Sequence, residues 1–272
     1  CHHIELRNRS NKSVTVELVS GIDGQITNSG AQHFTEGEKR LRDNVFLQML
    51  ATTSQSKKSI VTTLSHRLKI EGEEASVDQR FDIQRRRLLM NYKLTLEPNS
   101  RLELERYGTY HTDFDLDRDS NLSLEDWAWE DNRRIYRIGY AQLFDTSQAK
   151  WHRDVWQSTP IHIQSSRSMD NLALYFAKYH LQIMTPAHDE RMNIGAKGLS
   201  GEGYKGHTFW DTELFMLPYF TYSQPTTARS LLKYRYLGLE GAHHKARDNG
   251  YQGAQYPWEA AWPSDGETTP VW

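Results

Sequence analysis

The chain has 272 residues, and its 33 basic and 35 acidic side chains give a formal net charge of −2. This balance gives no electrostatic reason to expect nucleic acid or an anionic membrane as a partner. No apolar run approaches the roughly 20 residues that a membrane-spanning helix needs, and the single Cys1 permits no internal disulfide. We therefore expect a globular protein with no nucleic-acid or membrane partner, in a reducing, cytoplasmic setting.

The first hundred residues alternate polar and apolar side chains with the period of a β-strand. The pattern predicts strands at 3–6, 13–19, 59–70, 88–96 and 102–107. Pro98-Asn99-Ser100 supplies the turn before the last of them. Several strands that each have one polar face are typical of an antiparallel sandwich, which is the fold that we predict here.

From Ser123 the period changes to that of a helix, with apolar residues at Trp127, Ile135, Ile138 and Leu143. This spacing predicts a helix over 123–143 that has one apolar and one charged face. We interpret the segment as a helical linker between two domains.

The acidic segment before this helix resembles a calcium-binding loop. Asp115, Asp117 and Asp119 stand at the first, third and fifth positions of such a loop. However, Ser120 occupies the position where the sharp turn needs glycine, and Asp126 replaces the longer bidentate glutamate. We predict a solvated acidic linker with no metal site, and a calcium-binding module is the alternative.

The third region is predicted to be helical, with helices over 168–184, 210–222, 225–236 and 240–249. Ser168 can cap the first of them, Pro225 suits the first position of another, and Gly250 suits the end of the last. Helices joined by long loops that carry glycine, tryptophan and acidic residues are typical of an α/α barrel. Four helices would form only a part of one.

Two segments pair a tryptophan with a carboxylate. Trp210-Asp211 follows a glycine-rich loop over 195–206, and Trp258-Glu259 follows Tyr256-Pro257. Proteins hold a hexose by stacking an aromatic ring on one face and by accepting hydrogen bonds from adjacent hydroxyls with a carboxylate. The alternative for the first pair is structural, with Asp211 and Thr212 capping a helix and Trp210 packing in a core.

These segments also resemble a known family. The runs GAKGLSGEGYKGHTFWDTELFMLPYF, ARSLLKYRY, GYQGAQYPWEAAW and GETTP are similar to family 65 of the glycoside hydrolases, which includes maltose, trehalose, nigerose and kojibiose phosphorylases and some hydrolases. The resemblance covers most of residues 170–272, and 1–160 fits the family's β-sandwich and linker in order and character. The YPWE variant is most similar to the kojibiose type.

The resemblance implies a multidomain β and α architecture. Residues 1–110 would be the C-terminal part of an N-terminal β-sandwich domain, and 111–160 a helical linker. Residues 161–272 would be the N-terminal part of an (α/α)6 barrel catalytic domain, so that both the sandwich and the barrel are incomplete.

The resemblance also implies an activity. It is the inverting phosphorolysis of an α-glucosyl disaccharide or oligosaccharide, such as kojibiose, to β-glucose 1-phosphate and glucose. Inorganic phosphate is the co-substrate, and no metal or other cofactor is expected. By the same resemblance, Trp210, Asp211, Trp258 and Glu259 bind the transferred glucose, and Phe209 lines the same pocket.

The family's general acid lies in a motif that this sequence does not contain. We therefore expect no catalytic residue within the chain, with the acid beyond residue 272, and we expect the chain alone to be inactive. The full-length family member is expected to be a homodimer. Two alternatives remain open, namely an inverting α-glucosidase or trehalase-type hydrolase of the same family, and a non-catalytic sugar-binding or remnant protein.

Overall fold

The structure, a computed structural model, describes residues 1–198 and 200–269, apart from the side chain of Asp265. It divides into two units, Cys1–Ala149 and Lys150–Trp272. The last residue of the GETTP motif, Pro270, and the predicted end of the second domain at residue 272 lie outside the described residues. The predicted three-part division of the chain stays a prediction.

The first unit consists of strands followed by helices. Its elements are β1 His2–Arg7, β2 Val14–Asp23, β3 Phe34–Arg42, β4 Phe46–Thr53, β5 Ser59–Ile70, β6 Glu73–Glu74, β7 Asp78–Gln84, β8 Arg87–Leu96, β9 Arg101–Thr112, α1 Leu124–Ile138 and most of α2 Tyr140–Trp151.

The strands form two antiparallel sheets. One has the order β1-β9-β5-β4-β3 with β6 added to β5, and the other has the order β2-β8-β7. A single apolar core draws on both, since Leu47 and Leu64 of the first sheet cluster with Leu88 and Met90 of the second. The predicted antiparallel sandwich is confirmed.

Four strands, β3, β4, β6 and β7, were not predicted. In β3 the alternation is broken by a bulge between Glu36 and Lys39. Gly37 lies in this bulge, where a Cβ would come within 2.0 Å of the Leu50 carbonyl oxygen, so only glycine fits. In β4 the first four residues are all buried, so their side chains do not show the alternation of a half-exposed strand.

The predicted helix over 123–143 is two helices. Ser123 caps α1 by accepting a hydrogen bond from the Asp126 amide, and α1 ends at Gly139, which has a φ of +82°. A left-handed residue cannot continue the helix, so α2 begins at Tyr140. Leu124 packs against Val61 of the sandwich.

The acidic segment before α1 uses its side chains locally. Asp115 accepts hydrogen bonds from the amide and hydroxyl of Thr112, and Asp119 accepts from the Asn121 amide. Asp126 receives the Arg42 guanidinium at 2.8 Å. Residues 1–198 and 200–269 contain no group of three or more histidine, cysteine or acidic side chains that could hold a metal ion.

The second unit is mainly helical. It contains α3 Ser168–Ile183, β10 Thr208–Phe209, α4 Leu217–Ser223, α5 Pro225–Leu237, α6 Leu239–Asp248 and β11 Glu259–Ala260. Single π-helical turns lie at His152–Gln157 and Thr212–Met216, and 3₁₀ turns lie at Gly203–Gly206 and Pro263–Asp265.

Most of the predicted helices of this unit are confirmed. Pro225 opens α5, and Gly250 follows α6 with a φ of +77°. Ser168 does not cap α3, because the capping position is held by Arg167, which makes no side-chain capping bond. Phe220 of α4 and Leu231 of α5 share a buried cluster with Ile194. The incomplete barrel stays a prediction.

In the ranges 1–198 and 200–269, no helix combines the length and the apolar character that crossing a bilayer would require.

A neutral histidine is buried in the sandwich. His66 Nε2 lies 2.8 Å from the Ser20 hydroxyl, and its Nδ1 lies 2.9 Å from the Tyr92 hydroxyl. Burial, reinforced by the nearby Arg106 guanidinium, lowers the pKa of His66 from 6.5 to about 3. The folded protein therefore holds this ring uncharged at neutral pH.

This histidine is expected to make the protein acid-sensitive. The unfolded state takes up the proton near pH 6.5 and the folded state only near pH 3, so stability is lost as the pH falls between these values. At pH 4.5 the loss from this one group should be about 2 kcal/mol. Urea unfolding of the wild type and of His66→Gln, each at pH 7 and at pH 4.5, measures it. The wild type should lose about 2 kcal/mol more than the variant over this interval, and equal losses would refute the expectation.

Candidate functional site

The two tryptophan–carboxylate segments lie side by side. β10 and β11 pair antiparallel, with Phe209 opposite Glu259. The Trp210 indole Nε1 donates a hydrogen bond of 2.8 Å to the carbonyl oxygen of Pro257. The structure therefore brings all five predicted binding residues to one place.

The aromatic side chains form a continuous wall. The rings of Trp210 and Trp258 meet edge to face, with centroids 5.2 Å apart and an interplanar angle of 78°. Phe209 contacts the Trp258 ring at 5.7 Å and the Tyr204 ring at 5.2 Å. The two indoles are 42% and 47% exposed, whereas Phe209 is only 6% exposed. The indoles can therefore meet a ligand, and Phe209 supports the Trp258 ring from within.

Asp211 follows Trp210 directly and holds the N-cap position of the helical turn Thr212–Met216, but its side chain makes no capping hydrogen bond. The interpretation that the side chains of Asp211 and Thr212 cap a helix is therefore wrong. The Thr212 hydroxyl donates instead to the Ile194 carbonyl oxygen at 3.3 Å. The Asp211 carboxylate is partly exposed, and in residues 1–198 and 200–269 no hydrogen bond or ion pair engages it. It is free to accept hydrogen bonds from a ligand.

The Glu259 carboxylate is held by a histidine. Its Oε1 lies 2.6 Å from His207 Nδ1, and both side chains are largely buried. The glycine-rich loop delivers His207 to this position, because the Ala196 amide bonds to the His207 carbonyl oxygen at 3.0 Å. A Cβ on Gly195 would lie 3.0 Å from the Gly206 carbonyl oxygen. These glycines thus let the two ends of the loop approach each other closely.

An arginine ties the first segment to α5. Arg235 Nε and Nη2 donate to the two carboxylate oxygens of Glu213 at 2.9 and 2.8 Å. Nη2 also donates to the Phe209 carbonyl oxygen at 3.1 Å. Such a bidentate pair fixes both partners geometrically. It occupies both oxygens of Glu213 and leaves neither free to donate a proton to a substrate.

An open cavity of about 420 Å³ adjoins the aromatic wall. Trp210, Tyr256 and Glu213 line it together with Leu214, Leu232, Arg235 and Tyr236. Of the five predicted binding residues, Trp210 alone lies on this cavity within the described part of the chain.

His207 and Arg235 were missed as site residues in the sequence. Both lie inside the quoted motifs, and His207 stands two residues before Phe209. This closeness to Phe209 in the sequence could have identified His207 as a site residue. The partners of His207 and Arg235, however, are distant along the chain and emerge only from the fold.

Two family models match the chain. The model for the N-terminal domain of glycosyl hydrolase family 65 matches residues 1–153, and the model for the family's central catalytic domain matches residues 175–272. Together they account for both units.

Curated relatives agree with these matches. The chain is 42% identical over 264 residues to a kojibiose phosphorylase of Halothermothrix orenii, with 96% of this chain and 34% of the relative covered. It is 40% identical over 257 residues to the kojibiose phosphorylase of Escherichia coli, covering 93% of this chain and 33% of the relative. A nigerose phosphorylase of Lachnoclostridium phytofermentans is 43% identical over 122 residues, 45% of this chain and 16% of that protein. The chain thus spans about a third of the first two relatives.

The fold has a solved counterpart. A structure from the human microbiome, provisionally named a kojibiose phosphorylase, superposes with a TM-score of 0.82 at 24% identity and covers 99% of this chain and 34% of that chain. At this identity the likeness concerns the fold, and the family models carry the assignment. The chain belongs to glycosyl hydrolase family 65, as its motifs indicate.

Proposed function

We propose that the protein to which this chain belongs is a disaccharide phosphorylase acting on an α-glucoside, with kojibiose as the preferred substrate. It transfers glucose to inorganic phosphate, gives β-glucose 1-phosphate and free glucose, and uses no metal or other cofactor. Residues 161–272 form the first part of an (α/α)6 barrel in this proposal, and the complete protein is a homodimer.

The observation that carries the proposal is the pairing of β10 with β11. It sets two exposed indoles, Trp210 and Trp258, and two carboxylates, Asp211 and Glu259, in or directly beside one short two-stranded sheet. An aromatic ring can stack on the C–H face of a pyranose, and carboxylates accept hydrogen bonds from its hydroxyls. The named phosphorylases at 40% and 42% identity support phosphorolysis as the reaction.

Each side chain then has a role. The indole rings of Trp210 and Trp258 pack against the transferred glucose, and Phe209 supports Trp258 from behind. Asp211 accepts hydrogen bonds from sugar hydroxyls with both of its oxygens. Glu259 accepts with Oε2 while His207 holds Oε1.

The reaction is an inverting displacement. A phosphate oxygen attacks the glucosyl C1 on the face opposite the departing sugar, and a general acid protonates the departing oxygen. Phosphate is itself the nucleophile, so no base carboxylate is needed. We assign no residue of this chain as the acid. The Arg235 pair engages both oxygens of Glu213, and Glu259 is assigned to the sugar.

Product analysis tests the proposal. The complete gene product is incubated with kojibiose, nigerose, maltose or trehalose, with and without phosphate. We expect β-glucose 1-phosphate, fastest from kojibiose, and no glucose release when phosphate is omitted. Glucose release without phosphate would identify a hydrolase instead. Turnover of none of the four sugars would refute the proposal.

The 272-residue chain assayed alone should form no product. Product from this chain would mean that one of its own carboxylates, with Glu213 and Glu259 as the candidates, is the general acid.

A further inference from the structure

The GETTP motif has no role in the glucose site described so far, yet its glutamate contacts that site. Glu267 Oε2 accepts a hydrogen bond from the Trp258 backbone amide at 2.8 Å, and its Oε1 accepts from the Glu259 amide at 3.0 Å. One carboxylate thus binds the backbone of both binding residues on this segment. Hydrogen bonds to a charged acceptor are stronger than those between neutral groups.

The same carboxylate is anchored from its other side. Lys245 of α6 forms an ion pair with Oε2, and the Thr269 hydroxyl donates to Oε1 at 2.6 Å. Lys245 and Glu267 are both largely buried. The side chain is therefore fixed to α6 and to its own segment before it meets the binding residues.

The next residue of the motif closes the arrangement. Thr268 donates to the Glu259 carbonyl oxygen through its amide at 3.0 Å and through its hydroxyl at 3.1 Å. The Glu259 backbone is thereby held at its N–H by Glu267 and at its carbonyl by Thr268. The His207 contact fixes the remaining freedom, that of the Glu259 carboxylate.

We propose that Glu267 is a positioning residue, which sets Trp258 and Glu259 in the geometry that binds the substrate; this role rests on the glucose site proposed above. Fixing the backbone at two successive amides determines where both side chains leave it. The segment between α6 and Pro263 is also held by the β10–β11 pairing and by the Trp210–Pro257 hydrogen bond, and Glu267 adds the contacts that fix Trp258 and Glu259 themselves.

The ionisation of Glu267 agrees with this role. Burial raises the pKa of the carboxyl, but the Lys245 ammonium, the Thr269 hydroxyl and the two backbone amides outweigh it and lower the pKa to about 2. The acceptor therefore stays charged at neutral and mildly acidic pH.

Hydrogen exchange at single amides tests the positioning directly and without sugar. In the complete gene product, Glu267→Gln should make the Trp258 and Glu259 amides exchange about 10- to 100-fold faster, because each loses a charge-assisted acceptor. Glu190→Gln is the matched control, since Glu190 is exposed and, within residues 1–198 and 200–269, its carboxylate meets only Lys233, at 3.9 Å. It should leave both amides unchanged. Unchanged exchange in Glu267→Gln would overturn the proposal.

If Glu267→Gln does not fold, hydrogen exchange in the wild type tests the positioning role. Its Trp258 and Glu259 amides should exchange at least about tenfold more slowly than the amide of Gly253, an exposed residue of the same loop whose N–H has no partner in residues 1–198 and 200–269. If the amides of Trp258, Glu259 and Gly253 all exchange at the rate of an open loop, the Glu267 carboxylate does not fix the binding segment, and the proposal is overturned.

A sugar titration separates this proposal from the proposed function. Glucose binding, read by the fluorescence of the site tryptophans, should weaken about tenfold or more in Glu267→Gln and stay unchanged in Glu190→Gln. Faster exchange with unaltered affinity would overturn the substrate-positioning role. A wild type that binds no glucose although its Trp258 and Glu259 amides are protected would refute the glucose site, while the exchange result would still support a fixed segment.

Discussion

An Asp211→Asn variant of the complete gene product is expected to lose about 10²- to 10³-fold in kcat/KM for disaccharide phosphorolysis. Asp211 stands next to the exposed Trp210 indole and is engaged by no hydrogen bond among the described residues. In the proposed complex it accepts hydrogen bonds from two sugar hydroxyls. Each hydrogen bond to a charged acceptor contributes about 1.5–3 kcal/mol, and asparagine retains only one neutral acceptor.

The same lack of partners makes the variant easy to interpret. The substitution removes no hydrogen bond or ion pair among the residues that the structure describes, so the melting temperature of Asp211→Asn should stay within about 2 °C of the wild type. Asp248→Asn is the matched control, because Asp248 is exposed at the end of α6 and its carboxylate pairs only with His244 in the described part of the chain. It should retain wild-type kcat/KM. A threefold loss or less in Asp211→Asn, measured as the initial rate of glucose 1-phosphate release, would remove Asp211 from the binding site.

The second large effect concerns stability. Asn132 of α1 is fully buried and joins the helix to the sandwich. Its amide donates to the carbonyl oxygens of Thr63 and Tyr107 at 3.1 and 3.0 Å, and its Oδ1 accepts from the Ser65 hydroxyl at 2.7 Å. An Asn132→Ala variant removes a side-chain hydrogen-bond partner from three buried polar groups. We expect the free energy of unfolding to fall by about 3–4 kcal/mol.

Urea unfolding followed by tryptophan fluorescence measures this loss. Asn91→Ala is the control, because among the described residues the side-chain amide of Asn91 makes a single hydrogen bond, to the Arg80 carbonyl oxygen near the surface. It should change the free energy of unfolding by no more than about 0.5 kcal/mol. A loss below about 1 kcal/mol in Asn132→Ala would mean that the helix–sandwich contact does not depend on this side chain.

The sandwich could be predicted where side chains alternate cleanly between core and solvent, as in β8. Prediction failed where tertiary structure overrides the local pattern. The bulge at Gly37 shifts the register of β3, and the buried start of β4 hides its period. Gly139 divides the predicted linker helix, since its left-handed conformation is not visible from helical periodicity.

The site was predicted as two local motifs and not as a set of contacts. Trp210-Asp211 and Trp258-Glu259 could be recognised because residue type and spacing are properties of one segment. The support of these residues depends on partners that are remote along the chain, such as Arg235 for the Phe209 carbonyl and Glu267 for the Trp258 amide. A hydrogen bond to a backbone atom does not depend on the identity of the residue that carries this atom. Such bonds therefore cannot be predicted from the sequence and are seen only in the folded structure.

A crystal structure of the complete gene product with bound glucose would test the central claim most directly, namely that the two segments form one glucose site. We predict one glucose packed against the indoles of Trp210 and Trp258, with hydroxyls within hydrogen-bonding distance of Asp211 and Glu259. Glucose bound elsewhere, with Asp211 and Glu259 contacting no sugar, would contradict the claim.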